Sequence, residues 1–112
     1  MSRVWQLYLK DISASCEKIL RFTEGLSFEQ LIQDDKTYDA VVRNLEVIGE
    51  AAKNIPNRVR SLLPTIDWRK AAGMRDMLAH VYFGIDNDIL WDVVQNKVPE
   101  LAETVGSFLN KD

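Results

Sequence analysis

The chain reads as an all-α antiparallel helical bundle, and three observations predict it. Apolar residues recur at helical spacing in one segment after another. Helix start and stop residues punctuate those segments at short intervals. No stretch alternates apolar and polar residues as a half-buried strand does. With 112 residues, 46% hydrophobic and 28% charged, residues 1–112 are expected to form one domain around one core.

The first helix is expected over residues 3–24, where Trp5, Leu9, Ile12, Cys16, Ile19 and Leu20 form one stripe. Cys16 falls within that stripe and reads as a core residue, not a nucleophile. Gly25 is the stop signal. Ser27 with Gln30 makes a capping-box pattern for a short helix through Gln33. A third helix starts at Asp34-Asp35-Lys36-Thr37 and runs to Asn54, with Val41, Leu45, Ile48, Ala52 and Ile55 inward. Its Gly49, Ala51 and Ala52 allow close approach of a neighbour, while Arg43, Glu46 and Glu50 can pair along its surface.

Pro56 suits the first turn of a short fourth helix that ends before Pro64. Asp67 is the N-cap candidate for the fifth, which begins at Trp68 and closes at Gly84. Asp86 caps a sixth, with Ile89, Leu90, Val93 and Val94 inward. Pro99 starts the last, with Leu101, Val105, Phe108 and Leu109 inward. Trp68 and Trp91 read as packing residues.

Composition narrows the function classes. No apolar run approaches the roughly 18 residues of a membrane span, and Met-Ser-Arg-Val-Trp lacks the apolar run of a signal peptide. A lone cysteine excludes an internal disulfide and fits the cytoplasm; with one histidine it leaves no metal site to expect. The net charge of −3 hides an asymmetry. Residues 1–52 carry six basic and nine acidic groups, and residues 76–112 carry two and seven. Between them, Lys53, Arg58, Arg60, Arg69, Lys70 and Arg75 stand against Asp67 alone. Such a zone can supply phosphate contacts on an otherwise acidic protein.

The fifth helix carries the chemistry. The single histidine, His80, follows Arg75 by five residues and precedes Tyr82 by two. Polar groups on an apolar helix are costly unless paired or facing a cleft or partner. At about 100° per residue, Arg75 and Tyr82 share a stripe with Trp68, while His80 falls beside Arg69 and Asp76, about 140° from Arg75. A distorted helix end or a second subunit would bring Arg75 and His80 together. A histidine can move a proton near neutral pH. An arginine can hold a phosphate and stabilise its developing charge. RNA brings its own nucleophile, the 2′-OH. Together these form a minimal metal-free ribonuclease set, with Asp76 in a supporting role. A structural role for His80 remains the competing reading of the residues alone.

Arg75-x4-His80-x-Tyr82 resembles the signature of HepT-like toxins of the HEPN superfamily. Tyr38-Asp39-Ala40-Val41-Val42-Arg43-Asn44-Leu45-Glu46-Val47-Ile48-Gly49-Glu50-Ala51 resembles that family's first block. Asp67-Trp68-Arg69 resembles the segment before its motif, and Trp91 with Val98-Pro99-Glu100-Leu101 its C-terminal block. The resemblance implies a homodimeric, metal-independent endoribonuclease, with Arg75 and His80 of both chains lining an interface cleft. It implies the toxin of a type VII HEPN/MNT toxin–antitoxin system. Its antitoxin, an MntA-type nucleotidyltransferase, would transfer AMP from ATP onto Tyr82. ATP is then the partner's substrate and this chain needs no cofactor. RNA, whether tRNA or messenger, is the expected substrate, with Arg69 and Lys70 as phosphate contacts. Asp76 departs from the asparagine many relatives carry after the motif arginine. That departure leaves room for two other readings. One is a non-catalytic adaptor for the nucleotidyltransferase. The other is a structural homodimer with Arg75, Asp76 and His80 in a buried network.

Overall fold

A computed structural model describes residues 4–79 and 86–110. Among these residues the chain is helical, with α1 (Val4–Thr23), α2 (Phe28–Gln33), α3 (Asp35–Lys53), α4 (Asn57–Arg60), α5 (Trp68–Ala79), α6 (Asn87–Asp92) and α7 (Val98–Leu109). The expected bundle is present. Helix α3 is its centre, packed between α1 and α5, and α7 lies on the other side of α1.

Local chemistry sets the helix ends. Ser27 Oγ accepts from the Gln30 N–H at 3.2 Å, and Gln30 Oε1 accepts from the Ser27 N–H at 2.9 Å. This is the capping box read from the sequence. Asp34 closes α2 and opens α3, accepting from the Thr37 N–H at 3.1 Å and its hydroxyl at 2.7 Å. Those bonds hold the Asp34 carboxyl below its ordinary pKa. Gly25 has φ of 77°. That left-handed conformation suits glycine and turns the chain out of α1.

The core follows the predicted stripes. Leu9, Ile12, Cys16 and Ile19 of α1 meet Val41, Leu45, Ile48 and Ala52 of α3, all fully buried. Each large aliphatic side chain in this layer contributes about 1.5–3 kcal/mol by leaving water. Thr23, the polar residue on the α1 stripe, is buried because its hydroxyl donates to the Ile19 carbonyl at 2.8 Å. Trp5 meets Phe108 with ring centroids 6.4 Å apart, so the start of α1 lies against the end of α7. Trp91 meets the edge of Phe28 at 5.9 Å, and Trp68 is buried with its Nε1–H donating to the Leu63 carbonyl at 3.2 Å. Both tryptophans pack, as expected.

Burial, reinforced by the charge of Glu17, pushes the Cys16 thiol from 9.0 up to about 12. In the folded chain it keeps its proton well above the pH at which an unfolded cysteine ionises. Below pH 9 both states hold the proton and stability does not depend on it. Between pH 9 and 12 the unfolded state binds fewer protons, so stability falls by up to about 1.4 kcal/mol per pH unit. Urea unfolding of wild type and Cys16→Ala through that window checks this. The alanine variant, though less stable throughout, is expected to show the shallower alkaline slope. Equal slopes would contradict the shift.

Two departures alter the C-terminal half. The sixth and last helices are not separate elements: α6 runs through a π-helical turn at Val93–Lys97 into α7. Pro99 lacks an N–H and its ring collides with the carbonyl four residues back, so the preceding turn widens. The Val98 N–H accordingly reaches the Val93 carbonyl, five residues back. Ile89 is also not inward: it is 50% exposed, while Leu90 and Val94 are buried.

Candidate functional site

Helix α5 supplies the motif. Its start is held by Asp67, whose carboxylate accepts from the Lys70 N–H at 3.0 Å and whose carbonyl accepts from the Ala71 N–H at 2.9 Å. Trp68, Ala71 and Met74 bury one side of α5, and α5 packs mainly on α3. The Arg75 backbone lies within α5. Its side chain, together with His80 and Tyr82, lies outside the described residues, as does the predicted stop at Gly84. The chain is described again from Asp86, which caps α6 by accepting from the Asp88 N–H at 3.0 Å. There Asn87 accepts a bond from the Tyr38 hydroxyl at 2.8 Å. That bond ties the start of α6 to the first turn of α3.

The supporting and RNA-binding candidates separate. Asp76 and Arg69, the two residues that the sequence wheel sets beside His80, are both exposed. Lys70 is exposed too, but about 100° further round. It lines a groove of about 570 Å³ between α5 and the α6–α7 limb, facing Lys97 across it. Gly73 forms part of the groove wall, and a Cβ built there meets nothing within 4 Å. Ile89 and Val93 line the opposite side. The groove was not legible from the sequence, because the turn that sets Val93 and Lys97 arises from Pro99's effect on residues before it.

The basic zone is not uniform either. Arg60 turns inward: its Nε donates to the Ile55 carbonyl at 3.0 Å and its Nη2 to the Ala52 carbonyl at 2.9 Å. Its guanidinium lies 5.6 Å from the centre of the Trp68 ring. It caps the end of α3 and ties that end to the start of α5. Lys53, Arg58, Arg69 and Lys70 remain exposed.

A family model described as "Ribonuclease HepT-like" matches residues 12–108. Among curated proteins, "Probable ribonuclease HepT" of Thermococcus cleftensis is 48% identical over 101 residues, covering 90% of this chain and 92% of that protein. "Putative RNase MJ0127" of Methanocaldococcus jannaschii is 46% identical over 109 residues, covering 94% of this chain and 90% of that protein. No solved structure matches the chain significantly.

Proposed function

Because the chain belongs to the ribonuclease HepT-like family, we propose that it is a metal-independent endoribonuclease and the toxin of a type VII HEPN/MNT toxin–antitoxin system. The observation that carries this reading is a family match over residues 12–108, which span the whole Arg75-x4-His80-x-Tyr82 motif.

The chemistry needs only these side chains and the substrate. His80 takes the proton of the ribose 2′-OH. The freed oxygen forms a bond to the adjacent phosphorus as the bond to the 5′-oxygen breaks, and a proton returns to that leaving oxygen. Arg75 holds the phosphate and neutralises the charge that builds on its non-bridging oxygens. Asp76 supports His80, and Arg69 and Lys70 hold neighbouring phosphates. Two chains meet so that the Arg75 of one reaches the cleft of the other, which answers the angular separation of Arg75 and His80 on a single helix. No metal or cofactor takes part. No described helix is long and apolar enough to cross a membrane, and we place the protein with its RNA, tRNA or messenger, in the cytoplasm.

Control falls on Tyr82. An MntA-type nucleotidyltransferase binds ATP, and the Tyr82 oxygen attacks the α-phosphorus, forming a phosphodiester to AMP and releasing pyrophosphate. An anionic nucleotide beside Arg75 blocks RNA by bulk and by repulsion. The exposed carboxylate of Asp76 favours one competing reading, a non-catalytic adaptor that presents substrate to the nucleotidyltransferase.

Intact mass spectrometry of the protein made with and without that enzyme, paired with RNA cleavage by each sample, separates the two. One or more added AMP units at Tyr82 with loss of cleavage is the expected result. An unchanged mass and no cleavage by the unmodified protein would replace the toxin by the adaptor.

A further inference from the structure

Charge on this molecule is concentrated at one end of α3. Residues 51–66 hold no acidic side chain, and the next one, Asp67, has its carboxylate engaged at the start of α5. The rest of the chain is strongly acidic: the whole carries −3, although residues 53–70 alone hold five Lys and Arg against Asp67.

The fold gathers these residues into one corner. Arg60 bonds the Ala52 carbonyl in the last turn of α3 and the Ile55 carbonyl just beyond it and covers Trp68, and Trp68 bonds the Leu63 carbonyl. The end of α3, all of α4 and the start of α5 are thereby stitched together. Arg60 is consumed by the stitching. Lys53 at the end of α3, Arg58 on α4 and Arg69 at the start of α5 stay exposed.

Resting on the ribonuclease reading, we infer that this corner is a second phosphate-binding station, at which Lys53, Arg58 and Arg69 hold the RNA strand at a distance from the scissile phosphate. Arg69 lies six residues before Arg75 on α5, or about 9 Å along the helix. That reach places the station a few nucleotides from the reacting phosphate. Strand binding at the corner is independent of base sequence and depends on salt through counterion release. It feeds an anionic polymer toward the motif on a protein whose remaining surface repels it.

The test measures binding of a fluorescent, unstructured single-stranded RNA by anisotropy across a potassium chloride series. It uses the full chain in a His80→Ala background, which preserves the probe. Lys53→Gln/Arg58→Gln/Arg69→Gln is expected to weaken binding more than tenfold. The slope of log affinity against log salt should fall by about 2, or about 0.7 for each contact. Lys18→Gln, at an exposed position on α1 outside the corner, removes one charge and should leave the slope unchanged. With His80 restored, Lys53→Gln/Arg58→Gln should show a raised KM and an unchanged rate at saturating RNA. A wild-type slope in the triple variant overturns the corner, even if the protein cleaves RNA. Corner-dependent binding without cleavage by the native protein sinks the ribonuclease reading instead. No binding by the native protein sinks both.

Discussion

Replacing His80 with alanine is expected to lower RNA cleavage by 10²–10⁴-fold, the range typical of a lost general acid–base group. Arg75→Ala is expected to lose about 10²–10³-fold, as when a preorganised charge-stabilising donor is removed. Both effects should appear in the rate at saturating RNA, because each group acts on charge or protons that move only in the transition state. Strand binding should survive, since its contacts lie on Arg69, Lys70 and the exposed corner residues. Asp76→Asn is the informative contrast. Asp76 is exposed, so removing its charge leaves no orphaned buried group. It also withdraws the carboxylate that supports His80, so cleavage should fall, by less than in His80→Ala. The measurement is single-turnover cleavage by each purified variant, with urea unfolding as the control for folding. If His80→Ala cleaves like the native chain, the proposed chemistry is wrong. A loss of stability of about 1–3 kcal/mol without any cleavage in the parent would instead fit a histidine in a structural polar network.

The same residues show what could be read ahead of the structure. The capping box at Ser27 and Gln30 is local, four residues long and governed by two hydrogen bonds, so sequence is enough to find it. The α3 stripe from Val41 to Ile55 is buried throughout, because α3 is enclosed by its neighbours and periodicity alone decides such a face. Ile89 failed because α6 has only six residues, Asn87–Asp92, too few for a wheel to fix which apolar residues turn inward. The π-helical turn at Val93–Lys97 was missed for a different reason. The sequence marks Pro99 as a helix start, whereas its steric effect acts on the turn before it. The motif stands out because Arg75, His80 and Tyr82 interrupt a run of apolar residues, which the sequence alone displays. The groove between α5 and the α6–α7 limb left no such mark, since its walls come from segments that periodicity treats separately.

Arg60 is the residue whose sequence reading changes most, and its replacement carries the larger stability prediction. Counted by charge it belongs to the basic zone; by its bonds it belongs to the core of the α3–α4–α5 corner. Removing the side chain deletes two charge-assisted hydrogen bonds to the Ile55 and Ala52 carbonyls, in a setting where such bonds contribute about 1.5–3 kcal/mol. It also removes the guanidinium over Trp68, about 0.5–1 kcal/mol at a partly exposed site. The Ala52 carbonyl keeps a partner, the Ile55 N–H at 3.3 Å, which limits the loss. Arg60→Ala should therefore destabilise by about 2–3 kcal/mol, read as a lowered urea midpoint with an unchanged denaturant slope. Arg60→Lys should recover less than half of this, because a single ammonium cannot span two carbonyls and lie flat on an indole. The salt slope of RNA binding supplies the second readout. Below the unfolding midpoint Arg60→Ala should keep the native slope, unlike Arg58→Gln two residues away. A stability change under about 0.5 kcal/mol with a reduced slope would return Arg60 to the RNA surface and leave the joining of α3 to α5 to their direct packing.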